Sequence, residues 1–135
     1  MPLRRQEGEV RVLLLTSRGT GRWVLPKGWA EEGLTGAEVA AKEAFEEAGL
    51  VGEVQPDPLG VYSYVKAMPQ EQVMPCRVEV FALWVGQQLG DWPEREQRVR
   101  RWFSLSEAAG KVHEDDLRLL LERLAAQYGA ERPSV

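Results

Sequence analysis

The apolar positions change period several times along the chain, and each change marks an element. Val10 to Thr16 is a β-branched and leucine-rich run that predicts a mostly buried strand. Residues 17–22 carry turn chemistry, and Trp23-Val24-Leu25 predicts a second short strand ended by Pro26. After a loop containing Gly28 and Gly33 the period becomes helical over Ala37–Ala48. Thr35 and Glu38 fit a capping box at its start, and Gly49 sits where a left-handed residue stops a helix. Val51 to Val65 predicts a strand, a proline-interrupted loop and a further strand, and Arg77–Val85 a buried strand. Residues 91–94 form a turn, and Arg98–Phe103 a short strand. Ser104 to Glu107 carries the capping residues of a brief helix. The last helix spans about 114–128, with Leu117, Leu120, Leu121 and Leu124 on one stripe and Glu114, Asp115 and Asp116 at its positive end. With no repeat or linker, the pattern predicts one mixed α/β domain over 1–135, with 130–135 a frayed tail.

Composition narrows the function classes. The 135 residues are 44% apolar, enough to fill one core, and 28% charged. Seventeen basic against 21 acidic residues leave a net charge of −4, which argues against broad binding to nucleic acid or to an anionic membrane. Phosphate chemistry would therefore need local cations or a bound metal. Cys76 is the single cysteine, so the chain is expected in a reducing, cytoplasmic setting. Residues 1–7 have no apolar run behind them and are not expected to act as a signal peptide. Apolar runs of three to five residues fall short of a membrane span.

The helix at 37–48 carries the candidate chemistry. At about 100° per residue, Glu43, Glu46 and Glu47 share an arc of about 100°, beside a face made almost entirely of alanine. Alanines let the helix lie close to a sheet and bring the carboxylates to the rim of that contact. Like charges at this spacing repel, and Lys42 offsets only part of the repulsion. A hard divalent cation offsets far more, although a solvated acidic face is the competing explanation of the same pattern.

Pro26-Lys27-Gly28-Trp29 ahead of this helix, with Gly49-Leu50 after it, gives the segment a clear resemblance to the Nudix hydrolase family. The family's box reads G-x5-E-x7-R-E-U-x-E-E-x-G-U, with U a bulky aliphatic. Gly28, Glu43, Glu46, Glu47, Gly49 and Leu50 match it; Leu34, Lys42 and Ala44 depart from it. Pro26-Lys27-Gly28-Trp29 before the box and Trp92-Pro93-Glu94 with Arg98 and Trp102 look most like the branch acting on diphosphoinositol polyphosphates and diadenosine polyphosphates. The resemblance implies an α/β/α sandwich with a mixed β-sheet. It also implies a metal-dependent hydrolase in which water attacks phosphorus of a diphosphate linkage. In that reading Glu43, Glu46, Glu47 and the Gly28 carbonyl hold Mg²⁺ or Mn²⁺. A non-catalytic Nudix-fold module that binds a nucleotide or a protein is the alternative.

Other residues enter as candidates. The general base is either a helix glutamate or one from elsewhere: Glu79, a carboxylate within an apolar strand, or Glu31 and Glu32 in the loop. Arg18, Arg22, Lys27 and Lys66 are candidates for substrate phosphates, and Tyr62, Tyr64, Trp29 and Trp92 for stacking or core packing. His113 is expected to cap a helix or face solvent, and Cys76 to be a packed thiol. The expected partner is a small phosphate-containing molecule, with no nucleic acid or membrane, and a monomer or homodimer as the assembly.

Overall fold

A computed structural model of the chain describes residues 1–130. The tail expected at 130–135 lies, apart from Ala130, outside the described residues. In chain order the elements are β1 (Pro2–Gln6), β2 (Glu9–Thr16), β3 (Trp23–Val24), α1 (Gly36–Ala48), β4 (Leu50–Ala67), β5 (Val73–Gln88), β6 (Arg100–Ser104), α2 (Leu105–Ala109) and α3 (Asp115–Ala130).

The sheet runs in the order β3-β2-β1-β5-β4, with β6 paired to β2. It is mixed because β1 lies parallel to β5, with Leu3 opposite Trp84, while the other pairings are antiparallel. Its two faces are read off β2 by simple alternation. Val12 and Leu14 join the cluster built with Leu117, Leu120, Leu121 and Leu124 of α3. Leu13 and Leu15 join the smaller cluster built with Ala44 and Ala48 of α1. Helices therefore cover both faces, which is the sandwich the resemblance implied.

Two departures from the expected elements have plain causes. The chain's start, for which the pattern predicts no element, is a strand: β1 turns back into β2 through Glu7 and Gly8, both at positive φ, as a two-residue hairpin requires. The segment 51–65 is not strand, loop and strand. Pro56 and Pro58 cannot donate to a ladder, yet β4 continues past them through register shifts around Pro58 and resumes its pairing with β5 from Gly60 to Ala67. The resulting long β4–β5 ribbon forms one wall of the site.

Candidate active site

Helix α1 begins as its residues dictate. Thr35 accepts from the Glu38 N–H at 3.1 Å while Glu38 accepts from the Thr35 N–H at 2.8 Å. It ends at Gly49, φ 68°, whose missing side chain leaves room for the Trp92 ring. The segment from Leu89 to Arg100 then closes over the helix end. The Trp92 indole donates to the Glu47 carbonyl at 3.0 Å and the Glu94 N–H to the Glu46 carbonyl at 3.1 Å. Arg100 donates to the Ala48 carbonyl at 2.8 Å and to the Leu89 carbonyl at 2.6 Å, with its guanidinium 3.8 Å from the Trp92 ring centre. Carbonyls that a helix end leaves without partners are thus satisfied from one loop.

Glu47 is 4% exposed, a buried carboxylate. The Lys27 N–H donates to its Oε2 at 3.1 Å, and Arg98 Nη2 lies 3.1 Å from its Oε1. Arg98 also donates from Nε to Glu94 Oε1 at 3.0 Å and from Nη1 to the Thr16 carbonyl at 3.4 Å. One planar guanidinium thus ties β2, α1 and the 89–99 segment together. Glu43 reaches the same place and hydrogen-bonds the Glu47 side chain. Gly28 allows that approach, since a Cβ there would stand 2.5 Å from Glu43 Cδ.

Burial raises the Glu47 pKa to about 8, and the shared hydrogen bond with Glu43 adds to the rise; together they outweigh the pull of Arg98. Burial also raises Glu43. The two carboxyls therefore hold a proton between them near neutral pH. An all-oxygen pair of this kind, which Arg98 compensates only in part, fits a hard divalent cation that would take the proton's place. Among the described residues no trio of His, Cys, Asp or Glu converges to hold an ion as it stands. Glu46 is half-buried on the same helix but does not line this cavity.

The cavity in front of the pair measures about 500 Å³. Five cations line it, Arg18, Lys27, Lys66, Arg77 and Arg98, with Gly28, Glu31, Glu43, Glu47 and Glu94. Two of the lysines lie on aromatic faces, Lys27 Nζ 4.8 Å from the Tyr64 ring centre and Lys66 Nζ 4.8 Å from that of Trp29. Burial lowers the pKa of Lys27 and raises that of Tyr64 to about 12. A net acidic chain thus presents a concentrated cationic wall beside its carboxylates.

The structure brings together most of the residues expected in the site and separates others. Gly28, Glu43, Glu47, Arg18, Lys27, Lys66, Trp29 and Tyr64 meet in the cavity. Arg22 is exposed outside its lining, and Glu79 lines a neighbouring cavity instead. Glu31 is bound to Lys42 at 2.7 Å, while Glu32 is exposed in the loop. Tyr62 is buried in the core, Trp92 clamps the helix end, and His113 is exposed. Cys76 is half-buried in the cavity wall. Arg77, Glu94 and Arg98 are site residues the sequence did not assign. Glu94 and Arg98 stood out only as marks of the branch, with nothing local to tie them to Glu47.

The NUDIX domain family matches residues 1–124. The Nudix hydrolase 13, mitochondrial, of Arabidopsis thaliana is 33% identical over 134 residues, covering 93% of this chain and 66% of that protein. Nudix hydrolase 12, mitochondrial, of the same plant is 39% identical over 74% of this chain and 51% of its own length. The mouse diphosphoinositol polyphosphate phosphohydrolase 3-alpha is 36% identical over 77% of this chain and 61% of its length. The chain thus spans about half to two thirds of these curated relatives. A Caenorhabditis elegans Ap4A hydrolase structure shares the fold with a TM-score of 0.68 at 19% identity, covering 96% of this chain and 93% of that one.

Proposed function

The chain belongs to the Nudix family, and we propose that it hydrolyses a diphosphate linkage in a nucleoside diphosphate-X or polyphosphate substrate with the help of Mg²⁺ or Mn²⁺. The observation that carries this reading is the Glu43–Glu47 pair held at the foot of a cavity ringed by five cations. Glu43 and Glu47 would hold the ion, with Glu46 and the Gly28 carbonyl as further ligands of the family box. Once bound, the ion neutralises diphosphate oxygens and makes a water a better nucleophile.

The chain's own residues supply the rest. Arg18, Lys27, Lys66 and Arg77 pair with phosphate oxygens and fix the diphosphate in the cavity. Arg98 keeps Glu47 aimed at the cavity through Oε1, while the Lys27 N–H holds Oε2. Glu94 is assigned as the proton acceptor for the attacking water. It lines the cavity from a segment outside α1 and so leaves Glu43 and Glu47 to the ion. The lone half-buried Cys76 suits a reducing compartment, and the proposed location is the cytoplasm. Among the described residues no helix is long and apolar enough to cross a membrane.

The test is phosphate release with Mg²⁺ on diadenosine polyphosphates, a diphosphoinositol polyphosphate, ADP-ribose and nucleoside triphosphates. Turnover of at least one that is lost in Glu47→Gln is the expected result. No turnover of any of them overturns the enzyme reading. Binding without turnover would then establish the non-catalytic module, a reading favoured by Leu34 and Lys42 in the box.

A further inference from the structure

Glu114 is a half-buried carboxylate that the proposed mechanism leaves unused. It stands just ahead of α3, where its carbonyl accepts from the Arg118 N–H at 3.0 Å. The residues around it are pinned to two strands. Val112 bridges to Trp23 of β3, the strand that leads to Lys27. Asp116 Oδ2 accepts from the Ser63 N–H of β4 at 2.8 Å. Ser63 lies between Tyr62 and Tyr64, and burial raises the pKa of both tyrosines, with the Glu114 charge adding to each rise. Glu114 Oε2 is fully enclosed and accepts from no donor among the described residues. Tyr64 and Lys27 line the carboxylate cavity, while Glu114 does not.

An enclosed carboxylate oxygen without a donor is costly unless a cation uses its charge. Arg118, one turn on, is tied to Asp115 and Glu122 instead. The cation that feels Glu114 is Lys27: burial lowers the Lys27 pKa, and the charges of Glu47 and then Glu114 act against that fall. Glu47 is already shared among Arg98, Glu43 and the Lys27 amide. Other cations of the cavity wall have their own holders: Glu94 for Arg98, Gln97 for Arg18 at 2.8 Å, and the Trp29 ring for Lys66. Lys27 rests on the Tyr64 ring, and a ring face does not choose between two carboxylates that both attract the ammonium group. We propose that Glu114 is a positioning residue for Lys27. From behind the cavity wall it holds the ammonium group on the Tyr64 ring and off the Glu43–Glu47 pair. That leaves the pair to a divalent cation and the lysine to a substrate phosphate. Without Glu114, the pair draws Lys27 in as a competitor of the ion.

This inference rests on the metal-dependent hydrolase reading, and its test separates the two. Mg²⁺ alone is titrated by calorimetry into wild type, Glu114→Gln, Lys27→Met and the double variant. Glu114→Gln should weaken Mg²⁺ binding about fivefold or more, because Lys27 turns to the carboxylate pair. The double variant should bind Mg²⁺ as Lys27→Met does, since the effect needs the lysine. Glu114→Asp, which keeps the charge, should stay within about twofold of wild type. Unchanged Mg²⁺ affinity in Glu114→Gln, or an equal loss with and without Lys27, overturns the proposal; the second result is what a merely structural role produces. The same cycle is run with Glu114→Ala, which decides in the same way should the glutamine variant not fold. On a substrate that wild type turns over, Glu114→Gln should raise KM about fivefold and leave kcat at saturating Mg²⁺ within about twofold. Absence of turnover on every substrate is a failure of the hydrolase reading alone, since the Mg²⁺ titration still reports on Glu114. Wild-type turnover with equal Mg²⁺ affinity in Glu114→Gln is a failure of this inference alone.

Discussion

The two flanks of α1 treat their charges in opposite ways. On the inner flank Glu47 is buried and held by the Lys27 amide, the Arg98 guanidinium and the Glu43 carboxyl, with Trp92 and Arg100 locking the helix end behind it. On the outer flank Lys42 is exposed and turns to Glu31 of the preceding loop. The family box puts its conserved-type cation on this outer flank, as an arginine; here the planar fork comes from Arg98, more than 50 residues later in the chain. Orientation of the key carboxylate is therefore a property of the 89–100 segment and the inner flank. Lys42 in place of arginine leaves that machinery intact.

The largest effect should come from the inner carboxylate itself. Glu47→Gln keeps the shape and a hydrogen bond but cannot replace its proton with an ion. Turnover is expected to fall by about 100-fold or more, and the Mg²⁺-induced rise in melting temperature to disappear. A Glu47→Gln protein that still turns over at the wild-type rate would break the assignment of the inner flank as the working one.

Arg98 comes next. Its side chain is 11% exposed and it neutralises two carboxylates, Glu47 and Glu94. Arg98→Ala leaves both without their cation, and removing one partner of a buried pair typically costs about 3–5 kcal/mol. Chemical denaturation should show a loss of that order. Arg98→Lys, which keeps the charge but not the fork, should lose less stability while still weakening Mg²⁺ binding. Equal behaviour of the two variants would mean that charge alone, and not the fork, matters here.

The shared proton gives a pH signature of intermediate size. Glu47 titrates at about 8 in the folded chain against an ordinary 4.5 when unfolded, so the folded state binds more protons between those values. The stability present below the lower value is then lost as pH rises toward 8. Metal-free protein should melt at a lower temperature at pH 8 than at pH 5.5, and Glu47→Gln should flatten that slope. Saturating Mg²⁺ should reverse it, because ion binding displaces the proton and strengthens as pH rises. A slope that is the same in Glu47→Gln would place the titration elsewhere.

What the sequence made legible was local. The Thr35–Glu38 box, the Gly49 stop and the carboxylate arc all lie within one helix and its caps, where spacing converts directly into geometry. The same wheel placed Glu46 and Glu47 on opposite sides of Glu43, yet of these two only Glu47 is buried, because the side of the arc that is buried depends on what covers the helix end. Arg98, Glu94 and Arg77 were not assigned to the site for the same reason: each reaches it through strand and loop placement that no local period encodes. Glu79 shows the converse. Its carboxylate in an apolar strand marked it as unusual, but it lines a neighbouring cavity and not the one in front of the Glu43–Glu47 pair. The first strand was missed although its hairpin with β2 is local, because Arg4, Arg5 and Gln6 leave it no apolar alternation.

The smallest effect belongs to the outer flank, and its smallness is the point. The Lys42–Glu31 bridge is exposed on both sides, where solvent screens the charges and side-chain entropy opposes the contact. Lys42→Ala should leave the melting temperature nearly where it was. Lys42→Arg restores the family residue, but Glu47 already has its guanidinium, so kcat should change by less than about twofold. If Lys42→Arg instead raises kcat several-fold while Arg98→Lys does little, the orienting role sits on the outer flank and the two sides of the helix exchange parts. Measuring both substitutions in one protein decides this directly: with Arg98 as the orienting residue, adding Lys42→Arg to Arg98→Lys should rescue little, since the side chain at 42 points to the loop and away from Glu47.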